Sequence, residues 1–243
     1  MEKRMQSDSI GIARLFSEIA SRYDFLNHLF SLNIDRLWRK ALVRSARLRN
    51  GARILDACTG TADLAIELGK SCFACEITAV DFSGQMLRLG REKVRKKGLA
   101  EKIKFVKADV LDLPFPDCSF DLVCIGFGLR NLMDRQKGCD EMARLLKSGG
   151  RLLVLEFSPF QNGYLGVIYR FYLKNLIPIL GGILSGSAGA YNYLASSIAG
   201  FLKPEEVVLM MKKSGLTEIS LKPLTGGIAC LYSGVKNPID RLL

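Results

Sequence analysis

From Ala52 onward, short apolar runs of strand length alternate with amphipathic stretches of helical period. The succession is ARILDA, TADLAIELGK, EITAVDFS, GQMLRLGREKVRKKG, IKFVKADV, FDLVCIGF, DRQKGCDEMARLL and GRLLVLEF. Such alternation marks βαβ units, which build a parallel sheet covered by helices on both faces. Gly51, Gly98 and the Gly149-Gly150 pair fall just before strand-like runs, where a helix-to-strand turn takes a left-handed residue. Past Phe157 the pattern is interrupted by a helix-like segment. Pro204 to Ser214 then reads as a last amphipathic helix, and LTEISLKPL and GIACLYSGV as a closing strand pair. Met1 to Asn50 reads as two or three helices, one around Ile12 to Ala20 and one around Asp35 to Leu48. The expected organisation is an N-terminal helical extension (1–50) contributing to the site, and a main α/β domain (51–243) with a lid-like insertion at about 158–203. A chain of 243 residues suits one domain of this kind with small additions.

A formal net charge of +11 calls for an acidic partner. The charge is clustered: Arg36, Arg39, Lys40, Arg44, Arg47 and Arg49 form one run, and Arg88, Arg91, Lys93, Arg95, Lys96 and Lys97 another. On helices such runs are solvated faces or membrane-facing ones. Asn175 to Leu202 carries no charge, yet its glycines, Pro178 and polar residues leave no unbroken apolar run of about 18 residues, so it does not read as a transmembrane span. The Met1 to Gly11 stretch is polar and lacks the apolar core of a signal peptide. The seven cysteines are irregularly spaced, so free thiols in a reducing cytoplasm are expected. Cys72 and Cys75 form a C-x-x-C pair, but with His28 the only histidine no zinc set is complete, and no metal is expected.

The first strand ends in Asp56-Ala57-Cys58-Thr59-Gly60-Thr61-Ala62-Asp63, directly before a helix. A tight turn there brings backbone close to a ligand and aims N–H groups at an anionic moiety. The dinucleotide pattern G-x-G-x-x-G is absent, so the loop is weak evidence alone. The second strand ends in Asp81, about 20 residues on, where a ribose-binding carboxylate belongs. Asp81 also suits a helix N-cap, although Ser83 is better placed for that role. The third strand closes with Asp109-Val110, an acid placed to receive an exocyclic adenine amine. Three consecutive strands with polar carboxyl ends imply a nucleoside site at the switch point of the sheet.

Three segments then carry a family resemblance over about residues 16–235. Tyr23-Asp24-Phe25-Leu26-Asn27, followed by Ser31 and Trp38, is similar to the Y-D-x-M-N…S…H-x-x-W signature of the ubiquinone/menaquinone biosynthesis C-methyltransferase family. Phe127-Gly128-Leu129-Arg130-Asn131 matches its F-G-[LI]-R-N segment, and Arg144 to Ser158 resembles its R-V-L-K-P-G-G-x-x-x-x-x-E-x-S signature. Asp35 stands where that pattern has histidine, Leu26 replaces its methionine and Ser148 its proline. Cys58 and Ala62 occupy loop positions that are small or glycine in such enzymes, which implies a tighter loop. The Asp35 change removes any role of a histidine there.

The resemblance implies a class I S-adenosylmethionine-dependent methyltransferase (Rossmann-like) sheet with an antiparallel last hairpin. It implies S-adenosylmethionine contacts by Thr61, Asp81 and Asp109-Val110, with Asp56 and Gly60 shaping the loop. The implied reaction is C-methylation of a demethylated prenyl quinol, demethylmenaquinol or its benzoquinol counterpart. A phenol's pKa near 10 requires proton removal or oxyanion stabilisation. Arg130 stays protonated, so it is expected to hydrogen-bond the phenolate, with Asn131 orienting it. Tyr23, Asp24, His28 and Glu156 are the candidate bases; the Trp38, Phe25, Phe30 and Tyr23 rings are core or a stacking platform.

The implied partners are a lipid-tailed quinol and an anionic membrane contacted peripherally from the cytoplasm, with homo-oligomerisation left open. The charge also suggests an RNA-binding protein or RNA methyltransferase. Against nucleic acid, no N-P-P-Y-type tetrad is present and, Trp38 apart, the basic runs lack interleaved aromatics. A methyltransferase of the same fold for another lipid would share the nucleoside site without both end signatures, and Cys58 and Ala62 leave open a protein that binds the cofactor without turnover.

Overall fold

The computed structural model describes His28, Ser31, residues 33–159, Tyr193 and residues 196–237. Tyr23, Asp24, Phe25, Phe30, the helix expected around Ile12 to Ala20 and most of the lid-like insertion lie outside the described residues.

Helix α1 (Ile34–Ser45) precedes β1 (Arg53–Ala57), α2 (Asp63–Ser71), β2 (Glu76–Asp81), α3 (Gly84–Lys96), β3 (Ile103–Lys107) and β4 (Phe120–Gly126). A 3-10 turn (Leu129–Asn131), α4 (Arg135–Leu145), β5 (Leu146–Phe157), α5 (Pro204–Lys213), β6 (Leu216–Leu224) and β7 (Ala229–Lys236) follow. The seven strands form one sheet in the order β3-β2-β1-β4-β5-β7-β6. The first five are parallel, and β7 runs antiparallel to both β5 and β6.

The central strands are apolar without alternation because helices cover both faces. Ile54, Leu153 and Leu155 pack beneath α1 and α2 with Trp38, Leu42, Leu64 and Leu68. Their neighbours Leu55, Leu152 and Val154 point the other way, to Met142 of α4 and Met210 and Met211 of α5. The described part of the N-terminal extension thus shares the main core: Trp38 is buried, and its indole N–H donates to Thr225 Oγ1 at 2.8 Å. Among the described residues, no helix is long and apolar enough to cross a membrane.

Two expectations are corrected. The Gly149-Gly150 pair lies inside β5, not before it, because α4 runs into the strand at Leu146 with no intervening loop. Register then steps from Phe120 opposite Leu146 to Leu122 opposite Arg151. Gly149 takes φ +71°, and a Cβ on Gly150 would stand 2.7 Å from the Lys147 carbonyl oxygen. The pair therefore forms a bulge. Second, Cys72 and Cys75 are not free thiols: with Cα atoms 5.7 Å apart they form a disulfide between α2 and β2, while the other five cysteines are free. Spacing alone hid this, because the pairing rests on the turn after α2.

Candidate active site

The sheet reverses direction of growth at β1, which has β2 on one side and β4 on the other. Loops leaving those carboxyl ends diverge there and open a crevice. After Ala57 the chain makes three left-handed residues within five: Cys58 (φ 53°), Gly60 (φ 56°) and Ala62 (φ 69°). For Cys and Ala this conformation costs about 1–2 kcal/mol each, a cost that glycine would not carry. The loop is held from two strands. Thr59 Oγ1 donates to Asp56 Oδ2 at 2.6 Å, Thr59 N–H to the Val80 carbonyl at 2.8 Å, and Gly60 N–H to Asp81 Oδ2 at 2.9 Å. Among the described residues, nothing lies within 4 Å of where a Gly60 Cβ would be, so they leave the outer side of the loop open.

Asp56 is buried, and burial pushes its pKa up to about 7 despite the hydrogen bonds from Thr59 and Ala65. Burial likewise raises Asp81, opposed by backbone N–H groups. Asp81 accepts from Gly60 N–H and, through Oδ1, from Ser83 N–H at 2.9 Å. A carboxylate offers about four lone-pair sites, so Asp81 has acceptor capacity left for a ribose. Ser83 is indeed the N-cap of α3, accepting from Met86 N–H at 3.3 Å. Asp109 is exposed at the rim, its Oδ1 accepting from Leu111 N–H at 2.9 Å, whereas the Val110 side chain is core. Only the Val110 backbone is thus available to a ligand. Thr61 is buried and accepts from Lys93 Nζ at 3.1 Å. These donors and acceptors fit a nucleoside with an exocyclic amine.

The β4 loop interlocks with this one. Phe127 takes φ 61°, and a Cβ on Gly128 would stand 2.5 Å from Cys58 Cβ. The 3-10 turn then presents Arg130, which is buried. Its Nη1 donates to Glu156 Oε1 at 2.9 Å and to the Phe127 carbonyl, its backbone N–H to Glu156 Oε2 at 3.1 Å, and its guanidinium lies 5.4 Å from the Phe157 ring centroid. Nε has no partner among the described residues. Glu156, offered by the sequence as a base, is thereby fully buried and paired. Asn131 Oδ1 accepts from the Tyr193 hydroxyl at 3.2 Å.

Sequence reasoning missed the Arg130–Glu156 pair and Tyr193. The first was findable, since β4 and β5 are neighbours and both residues leave their carboxyl ends; nothing in the spacing announced the second. Trp38, Phe127 and Phe157 form an aromatic cluster with centroids 4.7–6.0 Å apart, on the core side of the site.

This sheet order, with a left-handed loop after β1 and acids at three strand ends, defines a Rossmann-like methyltransferase. Solved structures agree on the fold. A possible histamine N-methyltransferase from Thermotoga maritima superposes with TM-score 0.64 at 19% identity, covering 92% of this chain and 99% of that one. An Aquifex aeolicus SAM-dependent methyltransferase gives 0.60 at 17%, covering 82% and 89%. The model of the ubiE/COQ5 methyltransferase family matches residues 3–236, and the chain belongs to that family. It is 44% identical over 220 residues to the demethylmenaquinone methyltransferase of Thermus thermophilus, spanning 90% of this chain and 99% of that protein. The Deinococcus radiodurans protein of the same name is 42% identical over 95% of both chains. The ubiquinone/menaquinone biosynthesis C-methyltransferase UbiE of Geobacter sulfurreducens is 42% identical over 93% and 88%.

Proposed function

We propose that this protein methylates a ring carbon of a demethylated prenyl quinol, demethylmenaquinol first, using S-adenosylmethionine. The observation that carries the reading is full-length likeness to two proteins named demethylmenaquinone methyltransferase. The Geobacter relative's name keeps the benzoquinol as the second substrate.

S-adenosylmethionine supplies an electrophilic sulfonium methyl. Asp81 would accept from its ribose hydroxyls, Asp109 and the Val110 backbone would receive its adenine amine, and Thr61 lies at the loop that Asp56 and Gly60 shape. Glu156 fixes Arg130 by two points, and Nε, without a partner among the described residues, would donate to a developing phenolate. Tyr193 occupies Asn131 Oδ1, which leaves the amide NH2 to donate to a ring oxygen. Ionisation of the ring hydroxyl would make the carbon nucleophilic, and holding it in place with water excluded would supply much of the acceleration.

A lipid-tailed substrate also calls for a membrane. Arg36, Lys40 and Arg44 on α1, and Arg88, Arg91, Arg95 and Lys96 on α3, are exposed, and such clusters attract anionic headgroups from the cytoplasmic side. The test is incubation with labelled S-adenosylmethionine and each demethylated quinol, followed by product identification. Label entering neither quinol overturns the substrate; equal labelling of both overturns the preference.

A further inference from the structure

The N-terminal motif carries aspartate where the family pattern has histidine, and the chain's single histidine stands seven residues earlier. The two meet in space. His28 Nδ1 lies 2.7 Å from Asp35 Oδ2, and Ser31, the motif serine, donates from Oγ to Asp35 Oδ1 at 2.6 Å. Arg39, one turn along α1, donates to the same carboxylate. On its other side, His28 Nε2 faces Asp63 Oδ2 at 3.6 Å. Asp63 is the first residue of α2, directly after the left-handed loop, and it also holds Lys93 Nζ at 2.6 Å and Arg39 Nη2 at 3.6 Å. Lys93 closes the circuit onto Thr61 Oγ1.

The three ligand-type groups of His28, Asp35 and Asp63 lie within 4.8 Å of one another. Their charges are already balanced without a metal ion. Burial is the largest single influence and raises both carboxyls, but Arg39 together with Ser31 and His28 at Asp35, and together with Lys93 and His28 at Asp63, more than offsets it, so both sit below the usual range. Two carboxylates already face two fixed cations, and a third cation would be repelled.

We infer that His28 and Asp35 are an exchanged pair: the imidazole that the motif places at 35 is supplied from 28, and the aspartate at 35 holds it. The pair is a positioning device. It clamps α1 to the start of α2 through Asp63, and so sets the loop that carries Gly60 and Thr61. The Asp35 departure therefore relocates the histidine rather than abolishing it. The effect on cofactor affinity rests on the S-adenosylmethionine reading above; the pairing itself does not.

The test is an exchange. His28→Asp, Asp35→His and the double variant are compared with the parent by calorimetry with S-adenosylmethionine and by urea unfolding. Each single variant is expected to weaken binding on the order of tenfold, the loss from one charge-assisted contact. The double variant is expected to return to within about threefold of the parent. A double variant that binds no better than the poorer single, or singles that bind like the parent, overturns the inference. If a single variant does not fold, His28→Gln replaces it, and parental affinity in that folded protein overturns the clamp. Should the parent itself not bind S-adenosylmethionine, the cofactor reading fails. The unfolding free energies of the same proteins then still decide the pair, since additivity of the two substitutions would overturn it.

Discussion

Arg130 grips Glu156 twice, with its guanidinium at 2.9 Å and its own backbone N–H at 3.1 Å, so one carboxylate fixes both the side chain and the turn that carries it. Both side chains are almost fully buried. Removing one member of such a pair leaves a desolvated charge and costs about 3–5 kcal/mol. Arg130→Ala and Glu156→Gln should therefore both lower the unfolding free energy in urea. Single-turnover rates of the folded Arg130→Ala protein at neutral pH should fall while cofactor affinity largely holds. Parental rates would leave Arg130 a structural residue only.

Asp81→Ala should weaken S-adenosylmethionine binding by roughly 1–3 kcal/mol, through a lost acceptor for the ribose. It also frees Gly60 N–H, so part of the loss is loop disorder. Unchanged calorimetric affinity in a folded variant would remove Asp81 from the site.

Gly128 and Cys58 should be coupled. Gly128→Ala drives a methyl to 2.5 Å from Cys58 Cβ, an overpacking worth about 1–3 kcal/mol. Adding Cys58→Gly removes the clash and relieves a left-handed cysteine at once. The double variant should melt above Gly128→Ala; strict additivity in a double-mutant cycle would show that the two loops do not interlock.

Asp56 makes stability depend on pH. Its folded pKa is raised from 3.8 to about 7, so between those values the folded state binds more protons than the unfolded one. Stability therefore falls as pH rises through that window, by an upper bound on the order of 4 kcal/mol. Asp56→Asn, which keeps an acceptor for Thr59, should flatten this dependence. Urea unfolding between pH 4.5 and 7.5 reads the difference, and parallel curves for the two proteins would refute the assignment.

Tyr193→Phe should release the Asn131 amide. Turnover is expected to drop severalfold, in line with one hydrogen bond of about 0.5–1.5 kcal/mol, with KM for S-adenosylmethionine unchanged. A shift in that KM without a change in turnover would place Tyr193 at the cofactor instead.

The sheet and the strand-end acids proposed to hold a nucleoside were legible in the sequence because they are local. Apolar runs between helical periods locate β1 to β5, and Asp56, Asp81 and Asp109 stand at strand ends that any parallel sheet of this order brings to one edge. Family signatures added Arg130 and Asn131, again as a contiguous segment. What the tertiary structure alone decided are the relations across it. Arg130 meets Glu156 because β4 and β5 are neighbours, 26 residues apart in the chain. Gly128 must be glycine because Cys58 arrives beside it from another loop. His28 finds Asp35 through a turn, and Asp63 only because α1 packs on α2. Periodicity reports which face of an element is buried; it carries no information on which element lies opposite, and buried charges are chosen by what lies opposite.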